Sequence, residues 1–75
     1  MQYTYKVLLH KAAEGGFTVT VPALPGCITQ GDGVDEAINM AKEAIQLYIE
    51  ELKARGETIT DDSETLEYSL NLAVA

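Results

Sequence analysis

Carboxylates are the most numerous side chains in this sequence that could carry chemistry. The 75 residues include twelve Asp and Glu, against five Lys and Arg. A two-metal nuclease needs several carboxylates that converge from neighbouring elements on cations about 4 Å apart. The segments with strand-like patterns carry almost no acids, since only Glu67 lies within one. We therefore predict no metal site and no cofactor, and interpret most of these acids as a solvated surface.

A thiol and an imidazole are the other candidates for catalysis. The sequence has one cysteine, Cys27, and one histidine, His10, and an adjacent imidazole can activate a thiol as a nucleophile. Nothing in their spacing favours such a pair, and a cysteine after a Pro-Gly turn is typical of a small buried apolar group. A single cysteine also excludes an internal disulfide, which fits a reducing compartment. We predict that the chain is not an enzyme.

Two segments near the N-terminus have the alternation of half-buried strands. Apolar residues occupy every second position in residues 3–10 and again in residues 17–21. Residues 14–16 supply turn chemistry between them, because glycine accepts positive φ without strain. We expect these segments to form a hairpin that Pro22 ends, followed by a short third strand at residues 27–30.

A helical period follows between Val34 and Leu52. Acidic Asp35 and Glu36 lie where a helix N-terminus favours negative charge, and Gly56 can adopt the left-handed conformation that ends a helix. At roughly 20 residues the helix would be about 30 Å long, enough to cross a small sheet. Its apolar positions recur at steps of three and four: Val34, Ala37, Ile38, Ala41, Ile45, Tyr48, Ile49 and Leu52.

A second alternating segment lies at the end of the sequence. In residues 66–74 the large apolar side chains again occupy every second position, so we predict a last strand. The resulting order β-β-β-α-β predicts an α+β fold, in which an antiparallel-rich sheet carries one long helix on one face. We expect a single domain over residues 1–75.

The charge balance restricts the class of partner. A net charge of -7 repels phosphate backbones and favours association with basic molecules. We therefore predict no direct binding of nucleic acid by this chain. Apolar runs fall well short of the roughly 20 residues that span a bilayer, and the N-terminus has a strand pattern rather than that of a signal peptide. We expect a cytoplasmic protein that does not bind membranes.

One series of motifs closely resembles the HicB-like antitoxin family. The resemblance covers about residues 3–57, and its most discriminating element is Pro-Gly-Cys-x-Thr-x-Gly-Asp. The matching motifs are Tyr5-Lys6-Val7, Gly15-Gly16-Phe17, Val21-Pro22-Ala23-Leu24-Pro25-Gly26-Cys27-Ile28-Thr29-Gln30-Gly31-Asp32 and Asp35-Glu36-Ala37. Members often place Ser or Thr directly before the helix, where this chain has Gly33.

That resemblance implies a degenerate RNase H-like fold without RNase H activity. It also implies a function, since HicB-like antitoxins bind a small basic HicA toxin that cleaves RNA and mask its active surface. Family members commonly carry a C-terminal DNA-binding domain, and we expect none after the last strand of this chain. A homodimer or higher homo-oligomer is expected, because the domain is small and has exposed sheet edges.

The candidate partner-binding residues follow from their chemistry. Acids cluster in the segment after the helix and can face a basic toxin, while an apolar residue in the Pro-Gly loop can provide an anchor beside them. These candidates are Leu24, Glu57, Asp61, Asp62, Glu64 and Glu67. Two alternatives remain open: an orphan interaction or adaptor protein of the same fold with a different partner, and a residual metal-dependent nuclease.

Overall fold

The computed structural model of this chain describes residues 2–74. The first two strands, β1 (Leu8–Lys11) and β2 (Phe17–Thr20), form the expected antiparallel hairpin. The register places Leu9 opposite Val19, so the odd-numbered side chains of both strands share one sheet face. Gly15 and Gly16 make the turn with φ values of 101° and 76°, a region that other residues rarely adopt.

The third strand, β3 (Ile28–Gly31), pairs antiparallel with β2 and completes the order β1-β2-β3. The loop between these strands is closed at its base, where the amide of Val21 donates to the carbonyl of Cys27 at 3.1 Å. Leu24 folds back inside the loop, because its amide donates to Val21 and its carbonyl accepts from Cys27. The Pro-Gly motif is therefore a compact turn and not an open loop.

Helix α1 (Val34–Ala54) begins and ends as the sequence indicates. At its start the Glu36 carboxylate accepts from the amide of Asp32 at 2.9 Å, which satisfies a donor near the helix N-terminus. At its end Gly56 adopts φ 68°. The amides of Gly56 and Glu57 donate to the carbonyls of Lys53 and Leu52, which is the Schellman arrangement that stops a helix.

The core lies between the sheet and α1, which packs on β2 and β3. One buried cluster joins Val19 of β2 to Ala37 and Ala41 of the helix. The second consists of Val21, Leu24 and Cys27, and the half-buried side chains packed against it are Tyr5, Val7, Ala44, Ile45, Tyr48 and Leu52. The prediction that Cys27 is a buried apolar group is confirmed.

The predicted order β-β-β-α-β is correct up to the helix and wrong after it. Within residues 2–74 the sheet has three strands, and residues 66–74 form none. Their apolar side chains are exposed, with Leu66 at 94% and Val74 at 87%. Alternation gives a segment the side-chain pattern of a strand, but the strand forms only where another strand completes its hydrogen bonds.

The first strand is also shorter than predicted. The sequence indicated residues 3–10, whereas β1 begins at Leu8. The register would place Lys6 opposite Pro22, where β2 has already ended in the turn, so β2 cannot pair with residues 2–6. The amides of Thr4 and Lys6 find their acceptors in a different segment of the chain.

Candidate protein-interaction site

Asp61 and Asp62 tie the segment after the helix to the N-terminal segment. The Asp61 carboxylate accepts from the amide of Thr4 at 3.0 Å, and the Asp62 carboxylate accepts from the amide of Lys6 at 2.8 Å. The amide of Asp62 donates back to the carbonyl of Thr4 at 2.7 Å. We call this set of contacts the Asp61–Asp62 clasp. It provides acceptors for the amides that β2 leaves unpaired.

Two neighbouring groups complete the clasp. The Tyr5 hydroxyl donates to the carbonyl of Thr60 at 2.7 Å, and the Ser63 hydroxyl donates to the Asp61 carboxylate at 2.9 Å. The Thr4 amide, followed by Ser63, lowers the pKa of Asp61, because these donors stabilise its charged form. Burial raises the pKa of Tyr5, with smaller contributions from the charges of Asp61 and Asp62. Both aspartates therefore have a structural role.

The structure distributes the other predicted contact residues over different environments. Leu24 is 2% exposed in the core, so its side chain offers no surface anchor here. Glu57 lies 2.9 Å from the guanidinium of Arg55, which offsets part of its charge. Glu64 and Glu67 are exposed. Leu24 and the five predicted acids thus do not form one continuous exposed patch.

One side of α1 presents a more regular acidic surface that the sequence reasoning missed. Successive steps of four, three, four and three residues align side chains along one side of a helix. The exposed residues at those steps are Glu36, Met40, Glu43, Leu47 and Glu50, and we call this set the acidic flank. Leu47 is 66% exposed between two glutamates. The sequence contained a signal for this surface, because Met40 and Leu47 are apolar residues at helical spacing that lie outside the core stripe.

The acidic flank can bind a basic surface by two complementary means. Its glutamates attract cationic side chains over several ångströms, which favours association and orientation. Met40 and Leu47 supply an apolar centre, and the centre of a protein interface provides most of the binding energy. The arrangement is therefore suited to recognition of a basic protein.

The side chains that could perform catalysis are not assembled into a site. Among residues 2–74, no three His, Cys, Asp or Glu side chains lie close enough together to hold a metal ion. Burial raises the pKa of Cys27, which disfavours the thiolate that a nucleophile needs. His10 is exposed on β1, whereas Cys27 is buried in the second core cluster.

A membrane-spanning helix is also missing from the described part of the chain, since α1 is too polar to cross a bilayer. A largely apolar groove lies between the N-terminal segment and α1.

Comparison with known protein families shows what the chain resembles. A family model described as HicB_like antitoxin of bacterial toxin-antitoxin system matches residues 5–73. A UPF0150 protein of Thermoplasma acidophilum is 49% identical over 59 residues, which cover 79% of this chain and 86% of that protein. A UPF0150 protein of Synechocystis sp. is 47% identical over 57 residues, covering 76% and 72% of the two chains.

One of the similar proteins is named an antitoxin. Antitoxin HicB 1 of Photorhabdus laumondii is 44% identical over 41 residues. The matched stretch covers 55% of this chain and 26% of that longer protein. The family match extends across the sheet, the Pro-Gly turn and the helix.

Proposed function

The chain belongs to the HicB-like antitoxin family, and on that basis we propose that it binds and neutralises a small basic toxin of the HicA type. Membership of the family implies a toxin as the partner. We further propose that the domain is a reduced RNase H-like fold, because its β1-β2-β3 sheet is followed directly by a helix that packs on one face. Because the family belongs to bacterial toxin-antitoxin systems, we expect the interaction to take place in the cytoplasm.

The observation that supports this proposal is the acidic flank of α1. An enzyme that cleaves RNA must hold a phosphate backbone, and Lys and Arg side chains usually supply that affinity. A protein surface that combines carboxylates with exposed apolar side chains can occupy the same region in place of RNA. Glu43, Leu47 and Glu50 provide both elements within two turns of one rigid helix. Masking of the toxin therefore requires no catalytic group on this chain.

The direct test is to purify the chain with the toxin encoded beside it and to measure RNA cleavage. We expect the two proteins to co-elute, and cleavage to fall to background when the chain reaches an equimolar amount. Saturating amounts that leave cleavage unchanged would contradict the proposal. Recovery of a different partner from the native host, without toxin, would instead favour the adaptor alternative.

A second assay addresses catalysis by the chain itself. We propose that the isolated protein does not cleave nucleic acid, because the family role is inhibition by binding. Incubation with RNA or DNA in Mg²⁺ or Mn²⁺ should leave the substrate intact. Cleavage that is reproducible between preparations and lost in Glu67→Gln would restore the nuclease hypothesis.

A further inference from the structure

The segment Leu66 to Val74, which we call the tail, has the side-chain pattern of a strand and lacks a partner strand. Its even-numbered side chains are all large and apolar: Leu66, Tyr68, Leu70, Leu72 and Val74. They are 73–94% exposed, and the segment is unpaired within the described residues. A contiguous apolar surface of this kind on a small protein indicates an interaction site.

The edge of β1 offers the hydrogen bonds that the tail lacks. The amide of Ala12 donates to the carbonyl of Gly16 across the hairpin, so even-numbered residues of β1 direct their backbone groups toward β2. The backbone groups of Val7, Leu9 and Lys11 consequently point away from β2. In the part of the chain that the structure describes, no strand pairs with this outer edge. Such an edge is a template for an added strand.

An apolar groove runs beside that edge, because α1 packs mainly on β2 and β3. Its volume is about 330 Å³. The N-terminal wall consists of Tyr3, Tyr5 and Val7, and the helix contributes Ile38, Ala41, Lys42, Ile45 and Gln46. A strand paired with β1 would direct alternate side chains into this groove, where apolar residues would cover Ile38 and Ile45.

Charge favours the tail as the occupant. The whole chain has five basic residues, and three of them, Lys6, Lys11 and Lys42, lie on the N-terminal segment, on β1 or in the groove. The polar side of the tail carries Glu67, and Glu64 precedes it. Lys11 and Lys42 thus provide positive charge along this edge of a protein whose net charge is -7, while Asp61 and Asp62 offset the charge of Lys6 at the N-terminal segment.

We propose that the tail of each chain adds as a fourth strand to the β1 edge of a second copy, so that two chains exchange tails in a closed dimer. Nine tail residues span about 30 Å at roughly 3.3 Å each, which is enough to pass along all four residues of β1 and the groove beside it. In the single chain the apolar side chains of the tail are at least 73% exposed, so the tail does not cover its own groove. Reciprocal exchange closes the assembly at two copies.

The buried surface is large enough for a stable dimer. A specific interface should bury at least roughly 1,000 Å² in total. Tyr68 alone can bury about 150 Å² or more, and the two tails together contribute ten large apolar side chains. This interface lies on the opposite side of α1 from the acidic flank, so the dimer leaves both acidic flanks accessible. Dimer formation by tail exchange does not depend on the identity of the toxin.

The test compares two charge-matched variants of the full chain, Leu70→Asp and Asn71→Asp. Adjacent strand residues point to opposite faces, so Leu70→Asp places a carboxylate against the groove and Asn71→Asp places one in solvent. Light scattering on a sizing column should give the wild type and Asn71→Asp about twice the chain mass of 8.1 kDa. Leu70→Asp should elute as a monomer, with helical circular dichroism unchanged.

Hydrogen exchange supplies a second measurement at the receiving edge. The amides of Val7 and Leu9 should be protected in the wild type and lose at least tenfold of that protection in Leu70→Asp. A wild-type monomer whose Val7 and Leu9 amides are protected would mean that each tail closes on its own chain, and would overturn the proposal. A Leu70→Asp dimer would overturn it as well, by showing that another surface joins the copies.

Discussion

Gly31 and Ala37 bring β3 and the helix into direct backbone contact. A β-carbon at Gly31 would stand 2.6 Å from the backbone nitrogen of Ala37 and 2.7 Å from its Cα. Real β-carbons essentially never approach another heavy atom more closely than 3.0 Å. The glycine thus sets the distance at which α1 packs on the sheet. It thereby also sets the position of the acidic flank relative to the sheet.

The first prediction concerns this contact. Gly31→Ala should lower the free energy of unfolding by about 1–3 kcal/mol, because the new methyl group must displace the helix backbone. For a domain of this size, each kcal/mol lost lowers the melting temperature by about 4–8 °C. Gly33→Ser is the matched control, since a β-carbon there would meet nothing within 4 Å. An unchanged melting temperature in Gly31→Ala would contradict the packing described.

The second prediction concerns the pH dependence of the Asp61–Asp62 clasp. The folded protein holds the pKa of Asp61 below its usual value, so the unfolded chain binds this proton more readily. The stabilisation is present above the unfolded pKa and is lost as the pH falls through the lower folded pKa. Asp61→Ala should therefore lose part of the acid-dependent change in urea midpoint between about pH 5 and pH 2. Glu64→Ala, from the same segment, controls for the loss of one negative charge.

The third prediction tests the acidic flank against the acidic segment after the helix. Leu47→Ala should weaken toxin binding by about tenfold, since truncation of a central apolar contact typically costs more than 1 kcal/mol. Glu43→Gln should slow association at low salt and have a smaller effect at high salt. Glu14→Gln makes the same charge change in the hairpin turn and should bind as the wild type does. Surface plasmon resonance measures all three variants.

The same experiment addresses the residues predicted from sequence. Glu57→Gln and Glu64→Gln should alter the association rate less than Glu43→Gln does, because Glu57 is paired with Arg55 and Glu64 lies outside the regular helix face. A larger effect at Glu64 than at Glu43 would move the contact surface to the acidic segment after the helix.

The fourth prediction concerns Cys27. Its thiol is buried beside Val21 and Leu24, and burial raises its pKa. Alkylation at neutral pH should therefore be slow in the native protein and become fast only at denaturant concentrations that unfold it. Mass spectrometry after a pulse of iodoacetamide follows this reaction. Rapid modification without denaturant would show that the Pro-Gly turn opens in the native state.

Local patterns predicted the hairpin, the third strand and the helix with its end at Gly56, because each depends on residues close together in the sequence. The strand at residues 66–74 was predicted from alternation, which describes side chains and does not supply a pairing partner. Leu24 was predicted to be an apolar anchor beside the acids, but its loop folds inward through hydrogen bonds to Val21 and Cys27 and leaves it 2% exposed. Asp61 and Asp62 were interpreted as partner contacts. Their hydrogen-bond donors, the amides of Thr4 and Lys6, lie more than 50 residues away in the sequence.

The clasp also determines when the protein can complete its structure during synthesis. Thr4 is synthesised well before its hydrogen-bonding partner Asp61, which lies 57 positions later in the sequence. Contacts of such long sequence separation form late. The hairpin and helix can assemble while translation continues, but the segment that contains Thr4 and Lys6 gains these hydrogen bonds only after Asp61 and Asp62 have been synthesised.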